Sequence, residues 1–186
     1  SLHSNGTTAL NAAVHGVLRT GDHVVASAAE HNSVLRPLQY LAEQKKIELT
    51  VVPVDGDGLV DAEQLLSAVT NATKLVALTH ASNVTGAVQP VEVVAQGMRH
   101  LSGFLLVDAA QTFGTKEIDV SVGIDLLAAP GHKASAGPLG TAFLYVEPRI
   151  HSEVVPLFQG GTGSRSESLA MPLEMPAKLE AGNLNV

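Results

Sequence analysis

Short apolar runs alternate with amphipathic stretches along most of the chain. The runs are rich in Val, Leu and Ala and are bounded by polar residues, which is typical of buried β-strands. The stretches between them repeat apolar residues every three or four positions, as helices with one buried face do. We predict strands at 23–27, 48–53, 74–79, 104–107, 124–129 and 141–146, and helices at 7–19, 33–46, 90–101 and from Asp61 onwards.

Two local signals concern the ends of these helices. Asp61, followed three residues later by Gln64, has the spacing of a capping box and predicts a helix start. Pro37 lies inside the second predicted helix, where a proline is acceptable only near the first turn. We therefore expect Pro37 to lie close to the start of that helix.

The order of the elements predicts an α/β fold. Strands and helices alternate, and the strands are continuous apolar runs without apolar–polar alternation. Both features are typical of a mostly parallel, doubly wound sheet with helices on both faces. We expect this domain to occupy residues 1–148. Residues 149–186 are rich in Gly and Pro and show no periodicity, so we expect an arm that leaves the domain.

The composition excludes several classes of function. The chain of 186 residues has no Cys, which excludes disulfides, Cys-ligated zinc, iron–sulfur clusters and a cysteine nucleophile within it. Its 11 Lys and Arg residues are scattered and its net charge is −7, so nucleic acid is not an expected partner. No apolar run approaches the ~20 residues of a membrane span, and no signal-type segment opens the chain. We expect a cytoplasmic protein that binds neither membranes nor metal ions.

Polar residues stand directly after most of the predicted strands. In open α/β sheets, ligands bind beyond the carboxyl ends of the strands, so we expect these residues to converge at one edge. Each has an ordinary alternative, such as a helix cap for Asp108 or a solvated side chain for Lys133. The candidates are His31, Asn83, Asp108, Ala110, Gln111, His132 and Lys133, with Gly6, Thr7 and Thr8 at the start of the first helix.

In combination, these residues match the requirements of pyridoxal 5′-phosphate. Free N–H groups and hydroxyls at a helix start can hold an anion such as its phosphate. Lys133, between an apolar strand and a Gly/Pro-rich loop, is expected to be desolvated and to serve as a neutral amine. A carboxylate at Asp108, at the end of a buried run, would keep the pyridine nitrogen protonated and make the ring an electron sink.

A series of motifs makes the sequence similar to a known family. They are Ala29-Glu30-His31-Asn32, His80-Ala81-Ser82-Asn83-Val84-Thr85-Gly86, Val107-Asp108-Ala109-Ala110-Gln111, Gly131-His132-Lys133 and Gly137-Pro138-Leu139-Gly140. The chain resembles the class V aminotransferase family of pyridoxal-phosphate fold type I, and most closely its cysteine desulfurase and selenocysteine lyase branch. The resemblance implies that this chain is the large cofactor domain, truncated so that the C-terminal small domain is missing.

The resemblance also implies a role for each candidate residue. Lys133 would be the Schiff-base lysine, Asp108 would pair with the pyridinium nitrogen, and Gln111 would bind the 3-oxygen of the ring. Asn83 would contact that oxygen or the substrate carboxylate. The remaining implied roles are packing under the ring for Ala110, stacking on its other face and proton transfer for His31, and phosphate binding for Thr7, Thr8 and His132.

Two positions concern the phosphate in particular. The family usually has Ser or Thr three residues before the lysine, where this chain has Pro130. Proline offers neither a hydroxyl nor an N–H, so we expect either weaker phosphate binding or compensation by another group. In dimers of the family a Gly-rich loop reaches the phosphate of the neighbouring subunit, and the region of Thr162 and Ser164 is the candidate here.

The implied reaction is the removal of sulfur from cysteine to give alanine. The implied partners are a cysteine-like amino acid substrate, a second copy of the chain in a homodimer, and a sulfur-acceptor protein. The nucleophilic cysteine would lie outside this chain, so we expect the chain alone to be incomplete for turnover. Two alternatives stay open: an aminotransferase, lyase or epimerase of the same family, and a non-catalytic scaffold.

Overall fold

The computed structural model describes residues 1–162 and 167–182, which contain one sheet. Its order is β1-β7-β6-β5-β4-β2-β3. From β3 to β6 the neighbouring strands run parallel, whereas β7 is antiparallel to β6 and β1 is antiparallel to β7. The predicted mostly parallel sheet is confirmed, but β1 and the antiparallel direction of β7 were not predicted. The strands are β1 (Leu2–His3), β2 (His23–Ser27), β3 (Glu48–Val52), β4 (Thr73–Thr79), β5 (Phe104–Asp108), β6 (Leu126–Pro130) and β7 (Ala142–Val146).

Helices cover both faces of this sheet. Along β4, Leu75 and Ala77 pack in the same core layer as α1 and α2, whereas Val76 and Leu78 pack with α3 and α4. Because both faces are covered, the middle positions of the central strands are all apolar, and polar residues stand only at the strand ends. The helices are α1 (Gly6–Val17), α2 (Asn32–Glu43), α3 (Ala62–Ser67) and α4 (Val91–Met98).

The ends of the helices differ from the predicted ends by a few residues. The predictions for α2 and α4 extended to residues 46 and 101, but these helices end at Glu43 and Met98. Asp61 is confirmed as the N-cap of α3, since its side chain accepts from the N–H groups of Glu63 and Gln64 at 2.8 and 3.0 Å. Within residues 1–162 and 167–182, no helix has the length and apolar character needed to cross a membrane.

Pro37 lies in the second turn of α2, so the expectation that it lies close to the helix start is wrong. Because proline has no N–H, the carbonyl of Ser33 loses its usual helical donor. The side-chain amide of Asn11 in α1 donates to this carbonyl at 3.4 Å and to the carbonyl of Thr7 at 2.9 Å. The side chain of Asn11 therefore supplies the hydrogen bond that Pro37 cannot donate, and it joins α1 to α2 at the Ser33 carbonyl.

The segment that follows β7 packs against the domain in its described parts. Ile150, Val154 and Leu179 are buried in the core layer that contains α1. The N–H of Val155 donates to the carbonyl of Gly16 at 2.9 Å, and Gly16 permits this approach because a Cβ would come within 2.8 Å of Val154. The division of the chain at residue 148 stays a prediction.

Candidate active site

A cavity of about 180 Å³, partly open to solvent, lies at the carboxyl ends of the parallel strands. Parallel strands end at the same edge of a sheet, so the loops that follow β2, β4, β5 and β6 meet there with the first turn of α1. All the predicted site residues except Thr8 line this cavity. They are Gly6, Thr7, His31, Asn83, Asp108, Ala110, Gln111, His132 and Lys133.

Thr8 instead belongs to the cap of α1. Its N–H donates to Oδ1 of Asn5 at 2.9 Å, and its hydroxyl lies 3.1 Å from the same oxygen. Thr8 does not line the cavity, and its contact with phosphate stays a prediction. Of the expected phosphate loop of a second subunit, Thr162 is described, whereas Ser164 lies outside the described residues.

Asp108 ends β5 with only 4 % of its surface exposed. Burial raises the pKa of its carboxyl group, while a 2.9 Å hydrogen bond from the N–H of Ala110 and the charges of Lys133 and His31 oppose this rise. A cation close to this carboxylate would offset the same desolvation. Asp108 is therefore suited to bind a protonated ring nitrogen.

Lys133 lies in the loop after β6 and is exposed, so the expectation of a desolvated lysine is wrong in this structure. The loop is closed on the carbonyl of Gly131, which accepts from the N–H of Gly137 at 2.6 Å and the hydroxyl of Ser135 at 2.7 Å. Gly114, with a φ of +94°, packs against this loop so closely that a Cβ would come within 2.8 Å of Ser135 Cα. These close contacts fix the turn from which Lys133 lines the cavity.

The first turn of α1 presents free N–H groups to the cavity. The N–H groups of Gly6 and Thr7 open the helix, where no preceding turn can accept them. Pro130 lies against them, its Cδ 3.5 Å from the place that a Cβ on Gly6 would take. An apolar ring thus stands where the family usually has a phosphate-binding hydroxyl, and backbone N–H groups remain beside it.

His31 lines the cavity from the start of α2, of which it is the N-cap. Its Nδ1 accepts the N–H of Ser33 at 3.1 Å, and the Ser33 hydroxyl lies 2.9 Å from Nδ1. Ser33 was not predicted as a site residue, although its position shortly after a cap could have indicated it. Sequence reasoning also missed other lining residues: Asn5, Leu10, Thr79 and Ala81.

Glu30 is a buried acid behind the cavity to which the sequence assigned no role. Its Oε1 accepts from the hydroxyl of Ser27 at 2.6 Å and from the N–H of Thr79 at 2.5 Å. Its Oε2 is buried and has no partner within the described residues. Burial raises the pKa of Glu30 to about 8, and the charge of Asp108 contributes to this rise. Glu30 thus joins the ends of β2 and β4 directly beside His31.

Residues 2–186 match the family model of class V aminotransferases. The chain belongs to the class V aminotransferase family. It is 39 % identical over 186 residues to a probable cysteine desulfurase of Methanothermobacter thermautotrophicus, covering 98 % of this chain and 46 % of that protein. It is 36 % identical over 178 residues to the cysteine desulfurase IscS of Rickettsia africae. This match covers 91 % of this chain and 43 % of that protein.

Solved structures lead to the same family. An apo cysteine desulfurase from Thermococcus onnurineus NA1 matches with a TM-score of 0.89 and 30 % identity, covering 100 % of this chain and 48 % of that one. The cysteine desulfurase CsdA from Escherichia coli matches with a TM-score of 0.85 and 27 % identity. This match covers 99 % of this chain and 48 % of that one. The predicted resemblance to the cysteine desulfurase branch is confirmed. This class V aminotransferase chain spans about half the length of the curated relatives it matches.

Class V aminotransferases and cysteine desulfurases use pyridoxal phosphate. The residues of the cavity fit this cofactor chemically. A buried carboxylate, a primary amine and the free N–H groups of a helix start line one space, which are the groups that its ring nitrogen, aldehyde and phosphate require.

Proposed function

We propose that this chain is the cofactor-binding part of a pyridoxal-phosphate-dependent cysteine desulfurase. Such an enzyme removes sulfur from a cysteine-like amino acid and leaves alanine. The observation that carries the proposal is the presence of buried Asp108, Lys133 and the open first turn of α1 around one cavity. The desulfurase names of the relatives support the choice of reaction among those of the family.

The bound cofactor would supply an electron sink for negative charge at the substrate α-carbon. Asp108 would hold the ring nitrogen in its protonated form, because a buried carboxylate is stabilised by a neighbouring cation. The N–H groups of Gly6 and Thr7 would bind the phosphate at the positive end of α1. Lys133 would hold the cofactor covalently and then take the α-proton of the substrate with its amine.

The other predicted residues would orient the ring. Gln111 and Asn83 would donate hydrogen bonds to oxygen atoms of the cofactor or substrate, since both carry amide N–H groups and line the cavity. Ala110 would pack under the ring and His31 would cover its other face. His132, next to the lysine, would add a donor for the phosphate.

A cofactor-binding experiment on the purified chain tests the site. Added pyridoxal phosphate is expected to give the visible absorbance of lysine-bound cofactor, and borohydride reduction followed by peptide mapping is expected to place the label on Lys133. Lys133→Ala should abolish both signals, whereas Lys116→Ala, at an exposed lysine outside the cavity, should keep them. Absence of the band, or a label at another lysine, would contradict the site assignment.

Sulfide release from cysteine in the presence of dithiothreitol tests the reaction. The chain has no Cys to receive the substrate sulfur, so we expect negligible turnover by the chain alone. Rapid sulfide release would refute the proposed dependence on a cysteine outside this chain. Rapid exchange of amino groups with a keto acid would favour the aminotransferase alternative instead.

We also propose that the protein works as a homodimer and passes its sulfur to an acceptor protein. The proposal is supported by the relatives that are named cysteine desulfurase IscS, a kind of enzyme that typically forms dimers and donates sulfur. Light scattering of the purified chain tests the assembly, and a monomer at high concentration would contradict it for this chain. The expected cytoplasmic location stays a prediction.

A further inference from the structure

His31 is held by the helix that it begins. Its Nδ1 accepts the backbone N–H of Ser33 at 3.1 Å. A backbone N–H can only donate, so Nδ1 must present a lone pair. A neutral imidazole carries its single proton on the other nitrogen, which places the proton of neutral His31 on Nε2. Within the described residues, Nε2 has no hydrogen-bond partner and stays available to a ligand of the cavity.

The hydroxyl of Ser33 supports the same arrangement of protons. It lies 2.9 Å from Nδ1 of His31 and 2.7 Å from the hydroxyl of Thr7. Nδ1 without a proton can only accept, so the N–H and the hydroxyl of Ser33 share its lone pair. With its one proton directed to Nδ1, the hydroxyl of Ser33 in turn accepts from Thr7. Ser33 is only 8 % exposed, so solvent hardly competes for these contacts. A directed chain of hydrogen bonds therefore runs from the first turn of α1 to His31.

We propose that Ser33 is a positioning residue that keeps the proton of neutral His31 on Nε2, so that neutral His31 presents a hydrogen-bond donor to a bound ligand. The chemical consequence rests on the proposed function, whereas the position of the proton does not.

The same chain of hydrogen bonds affects the phosphate end of the cavity. Thr7 directs its hydroxyl proton to Ser33, so this hydroxyl is not free to donate to an anion. The backbone N–H groups of Gly6 and Thr7 remain as donors there. Ser33 thereby determines which group of Thr7 serves the cofactor.

Nitrogen NMR on the full chain without cofactor tests the proposal. Two-bond proton–nitrogen correlations of ¹⁵N-labelled histidine rings distinguish a protonated ring nitrogen from an acceptor nitrogen, and His31→Gln identifies the signals of His31 by their loss. At a pH where the ring is neutral, we expect Nδ1 as the acceptor and Nε2 as the protonated nitrogen. A correlation across the N–H···N hydrogen bond between Ser33 and His31 is also expected. A proton on Nδ1 would overturn the proposal.

Three variants separate the role of the Ser33 hydroxyl from general structural effects. Ser33→Ala keeps the backbone N–H and removes the hydroxyl, so the Nδ1 resonance should shift towards that of a weaker acceptor. Ser33→Thr should return the resonance to its original position. Ser67→Ala, which removes a hydroxyl that donates to the carbonyl of Gln64 in α3, should change nothing. An Nδ1 resonance that Ser33→Ala leaves in place would refute the role of the hydroxyl, whether or not the chain binds pyridoxal phosphate.

Discussion

Replacing Glu30 by Gln tests whether this buried acid is neutral in the folded protein. Burial raises the pKa of Glu30 to about 8 in the folded chain, compared with 4.5 for an unperturbed glutamate. Between these values the folded state holds a proton that the unfolded state has lost. The contribution of Glu30 to the free energy of unfolding is therefore greatest in acid and falls as the pH rises towards 8, because the state that binds more protons is favoured at low pH.

The size of this effect follows from the difference between the two pKa values. Each unit corresponds to about 1.4 kcal/mol. Because Glu30 is half ionised in the unfolded chain at the lower pH and half protonated in the folded chain at the higher pH, its contribution should fall by about 4 kcal/mol between them. That loss is a large fraction of the ~5–15 kcal/mol that stabilises an ordinary domain. Glu30→Gln keeps an oxygen that can accept from Ser27 and Thr79 but cannot ionise, so it should remove this part of the pH dependence.

Urea unfolding of the parent chain and the variant between pH 4.5 and pH 8 measures the effect. Between pH 4.5 and pH 8, the free energy of unfolding of Glu30→Gln should rise by about 4 kcal/mol relative to that of the parent chain. Ser27→Ala removes a hydrogen bond that lowers the pKa of Glu30, so it should move the loss of stability to higher pH. Parallel pH profiles for the parent chain and Glu30→Gln would show that Glu30 is not a neutral buried acid.

Three further substitutions test the packing that supports the site. Gly114→Ala should destabilise the chain by about 1–3 kcal/mol, because φ is +94° and a Cβ would press on Ser135; an unchanged thermal midpoint would contradict this. Asn11→Ala should cost about 1 kcal/mol in urea unfolding, because the Ser33 carbonyl loses its donor, and an equally stable variant would show that Pro37 needs no compensation. Leu38→Ala should cost about 2–5 kcal/mol at a fully buried position, and a loss below 1 kcal/mol, measured in the same way, would disprove tight packing under α2.

The parallel part of the fold and most of the site could be predicted because their signals are local. A strand covered on both faces is apolar along its middle, so the sequence shows β2, β4 and β5 as continuous apolar runs. Asp108 and Lys133 stand directly after such runs, and the common direction of parallel strands brings them to one edge of the sheet. Glu30 carried no comparable signal. Its raised pKa comes from burial among residues of other strands, which the sequence does not show.

The amino-acid sequence alone thus determined the alternation of strands and helices, the edge at which the polar residues collect and the kinds of chemical group found there. Only the tertiary structure decided which groups touch. Asn11 compensates for Pro37 across two helices, Ser33 connects Thr7 to His31, and the antiparallel pairing of β1 with β7 closes one side of the sheet. Except for the contact of Ser33 with His31, these contacts join residues far apart in the chain, and their hydrogen bonds depend on distances that no local pattern of residues specifies.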